Sequence, residues 1–317
     1  MHLVTSSSSS RLGRAQSEGV NLVNDALTAR IVTALRAAGV ESVLLKGASV
    51  RRWLYDGDER CSVDIDLLVS GRDRDAADVA LSAFGLRYLG QSALGRGRPH
   101  ERLWEHPETV ILLELHESLK GLGVSHERAW EALSRQTEEI TLHGTRVPML
   151  DDVARTLHLA LHASQHGRKS ERTLDDLRRG LERLPESLWR QAAMLAGRLQ
   201  GLPAFATGLQ LLPEGAALVR RLGLETGESA ELALRSASAP PAAEGYAWMM
   251  ALPAHAKVAF LARALLPPAG FMRAWQPLAR RGLAGLVLAY LWRPFWLGWH
   301  APSAVRAWRR ANRRAST

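Results

Sequence analysis

The chain predicts an α+β architecture, a small mixed-sheet domain followed by a mostly helical one. Three observations carry that expectation. Over residues 20–147, short apolar runs with a period of two alternate with stretches of helical period. From residue 148 onward the period is helical throughout, and the change falls at "VPML".

Taken in order, residues 1–19 contain a serine tract and read as a disordered N-terminus. Residues 21–39, "NLVNDALTARIVTALRAAG", place apolar side chains at helical spacing and end on Gly39, a natural C-cap. "ESVLLKG" reads as a short buried strand ending at a glycine, "ASVRRWLYD" as a helix, and "SVDIDLLVS" as a strand with strict alternation. "RDRDAADVALSAFGL" is again helical, its aspartates suited to a helix N-terminus, and "TVILLELHES" is a further strand. The helical domain, 148–270, opens with "DDVARTLHLALHASQH", for which Asp151 or Asp152 is the N-cap, and continues with "SERTLDDLRRGLERL". Prolines at 203, 213, 240–241 and 267–268 divide the remainder into several helices. Residues 271–317 form a basic Trp/Arg-rich helical tail.

Composition narrows the class. A chain of 317 residues with 46% hydrophobic content can bury a substantial core. The single cysteine, Cys61, excludes an internal disulfide and a cysteine-based zinc site. The absence of a long uncharged apolar run predicts an unsecreted, cytoplasmic protein, and the arginine- and alanine-heavy composition suggests a GC-rich bacterial source. The net charge of +9 is concentrated in the tail, where 271–317 hold nine arginines and no acid, leaving 32 basic against 32 acidic residues elsewhere. Five of the ten tryptophans are there too. This end is either a packing element with a solvated basic face or a surface for lipid headgroups or nucleic acid.

The chemistry gathers around "VDIDLLV". In a strand, residues two apart share a face, so Val63, Ile65, Leu67 and Val69 face inward while Asp64 and Asp66 share the other side. Two neighbouring carboxylates repel unless a cation joins them, and Mg²⁺ is the divalent ion that one or two carboxylates hold together with substrate phosphates. Lys46 is one of only four lysines against 37 arginines, which marks it as a placed point charge for phosphate. "ILLELHE" repeats the alternation, with Ile111, Leu113 and Leu115 inward and Glu114 and His116 opposite. If the two strands are neighbours, Glu114 is a third acid, able to accept the proton of an attacking hydroxyl.

This ordered set resembles the polymerase-beta-type nucleotidyltransferase superfamily. "LLKGAS…LYDGDERCSVDIDLLV", "ILLELH" and "VPMLDDVARTLHLALHASQHGRKSERTLDDLRR" are more narrowly similar to the bacterial uncharacterised nucleotidyltransferases. The resemblance implies that Asp64 and Asp66 hold the metal and that Glu114 is the general base. It further implies that Lys46, Gly47, Ser49 and Arg60 meet the nucleotide phosphates, although Ala48 interrupts the usual glycine-serine turn. His158, His162 and His166 lie at i, i+4 and i+8; with Asp175, the resemblance has His162 and His166 either line the cleft, as His116 does, or lock two helices together.

The expected activity is Mg²⁺-dependent transfer of a nucleoside monophosphate from a nucleoside triphosphate, ATP by cellular abundance, to a hydroxyl or phosphate acceptor. The alternative expectation is an inactive nucleotidyltransferase fold that binds a membrane surface or nucleic acid through 271–317.

Overall fold

The computed structural model describes residues 5–55, 60–91, 101–109, 111–224, 233–234, 240 and 242–315. Two compact units make up the chain. One comprises 1–88, 100–159 and 175–200; the other comprises 89–99, 160–174 and 201–317. The sheet's unit thus includes helical segments beyond residue 147.

Helix α1 (Thr5–Ala37) begins inside the stretch expected to be disordered. Once a helix is nucleated, each further residue adds a hydrogen bond, so the amphipathic segment extends back through the serines. At the other end the helix stops as expected: Gly39 takes φ 75°, and Val40 N donates to Leu35 O. Leu27, Ile31, Val32 and Leu35 of α1 enter the core against the sheet.

The sheet is mixed and has seven strands: β1 (Ser42–Leu44), β2 (Asp64–Val69), β3 (Arg87–Gln91), β4 (Glu101–Glu105), β5 (Leu112–His116), β6 (Thr137–Leu142) and β7 (Thr145–Leu150). Their order is β3-β4-β5-β2-β1-β7-β6. The pairing that matters most is β2 with β5, which is parallel and sets Ile65 opposite Leu113 and Asp66 opposite Glu114. Ile65, Leu67, Val69, Ile111, Leu113 and Leu115 all lie in the core, as their alternation requires. Val63 is the exception: it precedes the strand and is exposed.

The same unit carries α2 (Ala48–Leu54), α3 (Arg74–Ala83) and α4 (His126–Ser134). Helix α5 (Asp152–His166) is capped by Asp151, whose Oδ1 accepts from Ala154 N at 2.8 Å. It is followed by α6 (Glu171–Arg183), α7 (Glu186–Arg198), α8 (Leu202–Leu209) and α9 (Pro213–Arg221). Further helices are α10 (Ala243–Ala251), α11 (Ala254–Leu265), α12 (Ala269–Trp275) and α13 (Gly282–Ala315). Among the described residues no helix is long and apolar enough to cross a membrane.

Candidate active site

The site is built at the β2–β5 pair. Because Asp66 and Glu114 are direct neighbours across parallel strands, their side chains emerge on one face. Two residues on, His116 points the same way, and its Nε2 lies 3.1 Å from Asp66 Oδ1 and 3.5 Å from Glu114 Oε2. Ligand atoms of Asp66, Glu114 and His116 all fall within 4.8 Å of one another. Asp64, on the same strand face, stands outside that group.

Lys46 leaves the end of β1 and reaches the cluster, its Nζ 2.7 Å from Asp66 Oδ1. Asp66 is fully buried and Lys46 nearly so, with 13% of its side chain exposed. Burial disfavours charge on each of them, but here the charges win. Burial would raise the Asp66 pKa, yet the Lys46 ammonium and His116 hold it below the usual carboxylate range. Burial would lower that of Lys46, and the combined field of Asp66, Glu114 and Asp64 raises it instead. For His116 the hydrogen bonds to Asp66 and Glu114 overcome burial and push it up to about 9, so the imidazolium form is present at neutral pH.

Both cations converge on Asp66 Oδ1. Asp66 Oδ2 is buried and has no hydrogen-bond partner among the described residues. An orphaned carboxylate oxygen beside a second acid is what a cation site requires, and the oxygen-rich donor set suits a hard divalent ion. These residues therefore fit the implied Mg²⁺.

Residues that the sequence reading did not single out hold the site in place. Asn21 and Asn24, one turn apart on α1, are both buried. Asn24 Nδ2 donates to Asp64 O at 3.1 Å, while Asn21 donates to Arg60 O and accepts from Ser62 N, each at 3.0 Å. Asparagines at helical spacing on the inner face of an apolar helix were the available signal. Asp25 of the same helix forms a buried ion pair with Arg51 of α2 at 2.5 Å. His158, on α5, is buried near Lys46; burial, reinforced by the Lys46 charge, depresses its pKa to about 3 and keeps it neutral.

The expected phosphate-binding residues divide. Gly47 caps α2 with φ 69° and ψ −121°, a conformation open to glycine. Among the described residues a Cβ there would meet only Asn24 Oδ1, at 3.8 Å, so substitution strains the backbone and displaces none of them. Gly47→Ala is therefore expected to lower stability by about 1–3 kcal/mol. Urea denaturation checks this, and an unchanged midpoint would mean that the turn relaxes. Ser49 is buried, and its hydroxyl lies 3.2 Å from Lys46 O and 3.4 Å from Leu45 O, so it ties the turn together.

Arg60 departs from expectation. Its Nε and NH2 donate to Asp176 Oδ1 and Oδ2 at 2.8 and 2.9 Å, and its NH1 donates to Ser62 Oγ at 2.7 Å. The guanidinium is buried and committed to a bidentate carboxylate contact. Asp175 is likewise displaced: it is exposed and pairs with Arg178 of its own helix, while its neighbour Asp176 points inward. His162 and His166 meet each other edge to face with ring centroids 4.5 Å apart. Arg102, a polar residue with no role assigned from sequence, pairs with Asp78 and donates to Arg74 O; His100 beside it lies outside the described residues.

A family description, "Uncharacterised nucleotidyltransferase", matches residues 13–214, more than half of the chain. The chain belongs to this nucleotidyltransferase family. The match spans α1 from residue 13 onward, all seven strands and the helices up to the start of α9. No curated protein matches. Among solved structures, the antibiotic-resistance factor ANT(2'')-Ia in solution is 16% identical with a TM-score of 0.39, covering 58% of this chain and 95% of that one. A crystal structure of ANT(2")-Ia with adenylyl-2"-tobramycin is 16% identical with a TM-score of 0.40, covering 56% and 98%. An antigenic nucleotidyltransferase-like protein from Paracoccidioides brasiliensis is 13% identical with a TM-score of 0.34, covering 59% and 91%. The family assignment rests on the family match, and the α+β class rests on the sheet itself.

Proposed function

We propose that this chain transfers a nucleoside monophosphate from a nucleoside triphosphate to a hydroxyl or phosphate acceptor and releases pyrophosphate. The observation that carries this reading is Asp66 Oδ2, buried and unpartnered among the described residues, set beside Glu114 of the neighbouring strand and Lys46 of the turn after β1. Asp66, with Asp64 of the same strand face, would hold Mg²⁺; when bound, that ion neutralises triphosphate charge and polarises a phosphoryl oxygen. His116 is a poor partner for an ion that takes oxygen ligands, so its role is to orient Asp66 and Glu114.

The remaining steps belong to the chain. Lys46 supplies positive charge for the triphosphate, and the Gly47 turn leaves backbone, with no side chain, at the start of α2. Glu114, with 29% of its side chain exposed, accepts the proton of the acceptor hydroxyl. The acceptor oxygen bonds to the α-phosphorus as the bond to the bridging oxygen breaks, and pyrophosphate leaves.

Titration calorimetry with ATP, GTP, CTP and UTP tests the reading. We expect binding of at least one nucleotide that depends on Mg²⁺ and weakens by roughly tenfold or more in Asp64→Ala/Asp66→Ala. Equal binding by the double variant, or none by the folded native protein, would sink it.

A further inference from the structure

The unit of 201–317 ends in α13, a 34-residue helix that continues through Pro294 and Pro302. Its inner face is packed. Leu286, Ala289 and Tyr290 join α12 and the Pro277–Arg280 turn in one apolar cluster, while Ala304, Ala307, Trp308 and Ala311 join α10 in another. Buried Arg293 donates to Ala264 O and stacks over Phe271 and Trp275.

The outer face carries large apolar side chains in water. Leu288, Leu291, Trp292, Phe295 and Trp299 are all more than half exposed, Trp299 at 84%. Trp292, Phe295, Trp296 and Trp299 line a hollow of about 950 Å³. An exposed apolar stripe of this size on a helix marks a contact surface.

Five turns of an α-helix take about 18 residues, so positions that far apart face the same way. Advancing by this interval from Leu288, Leu291, Trp292 and Phe295 lands on Arg306, Arg309, Arg310 and Arg313. All of these arginines are exposed. The same advance takes the inner Leu286, Ala289, Tyr290 and Arg293 to Ala304, Ala307, Trp308 and Ala311. One helix thus keeps its inner face packed along its length, apolar but for Arg293, while its outer face changes from leucine and aromatic rings to arginine.

We infer that the outer face of α13 seats this protein on an anionic lipid surface, with its tryptophans and leucines entering the acyl–headgroup boundary and its arginines on the phosphates. The charge argument selects this occupant. Residues 271–317 contain no acid, so a second copy of the helix would bring arginines together without counter-charge. Nucleic acid would satisfy the arginines but offers nothing to Leu288 and Leu291 on the same face. A lipid interface takes both halves, since tryptophan and arginine are side chains that such helices present to it. The contact is peripheral: among the described residues no helix is long and apolar enough to cross a membrane.

Co-sedimentation of the full chain with vesicles of phosphatidylcholine, with and without phosphatidylglycerol, tests the assignment. The native protein should bind the anionic vesicles, release them as salt rises, and show tryptophan quenching by brominated lipid. Leu291→Ser/Trp292→Ser/Phe295→Ser should weaken partitioning by roughly tenfold or more, as should Arg306→Gln/Arg309→Gln/Arg310→Gln/Arg313→Gln. Because the substituted side chains are exposed, unchanged thermal melting will show that both variants remain folded. No binding to anionic vesicles, or undiminished binding by the apolar variant, overturns the inference. So does a salt-sensitive complex with RNA or DNA in the absence of vesicle binding, or a dimer that these substitutions dissociate. The nucleotide titrations read a different site and are expected to be unchanged in both variants.

Discussion

Asp66→Asn is expected to lower pyrophosphate release from the preferred nucleotide by roughly a hundredfold or more, because the developing charge loses its principal anionic anchor for a cation. The same change should also reduce stability. Lys46 and His116 are both directed at Asp66 Oδ1, and an asparagine leaves the buried Lys46 ammonium facing a neutral amide and takes from His116 a contact that holds its proton. Removing one partner of such a pair costs about 3 kcal/mol or more. Loss of activity in this variant alone would therefore mix chemistry with unfolding. Glu114→Gln separates them, since Glu114 is partly exposed and its contact with His116 is long at 3.5 Å. Its stability should change by less than about 1 kcal/mol, while pyrophosphate release should fall by about 10²–10⁴-fold if Glu114 is the base. Initial rates with water or an added alcohol as acceptor, read beside urea denaturation of each variant, provide the comparison. Undiminished release by Glu114→Gln would remove it from the proton-accepting role.

How much of this was legible in the sequence follows from which interactions are local. The alternation in "DIDLLV" and "ILLELH" fixes what faces the core, and the acids are left to share the opposite face; the parallel register of Asp66 with Glu114 then brings them together. Periodicity does not state partners. Nothing in the sequence tells Lys46 to pair with Asp66, or gives His116 a charged role beyond lining a cleft. The β6–β7 hairpin was missed because its turn, His143-Gly144, uses positive φ at both positions without an Asn-Gly or Asp-Gly signal. At Asp175 and Asp176 the error is one residue, which on a helix rotates a side chain by about 100° and exchanges solvent for the interior. On α5 the equal spacing of His158, His162 and His166 does not give them equal surroundings: His158 is buried and neutral near Lys46, while His162 and His166 contact each other.

Arg60 offers the second large effect, and it tests structure against chemistry. The family resemblance assigned it to the triphosphate, but its guanidinium is clamped by Asp176, whose Oδ1 also accepts from Tyr55 OH at 2.7 Å. Burial, with Asp176 as second cause, raises the Tyr55 pKa, so the phenol stays a donor. Both members of the ion pair are buried, with side chains 6% and 3% exposed. Asp176→Asn should therefore cost about 3–5 kcal/mol, a large share of a typical domain's stability, because it strands a buried guanidinium. Arg60→Met/Asp176→Leu/Tyr55→Phe removes the charges and the dependent hydroxyl together, and should recover most of that loss in urea denaturation. The nucleotide affinity of the folded triple variant should match that of the native protein. A tenfold weaker affinity at near-native stability would put Arg60 back on the phosphates, since a guanidinium that serves only to join its loop to α6 has nothing to contribute to the ligand once that join is made by packing.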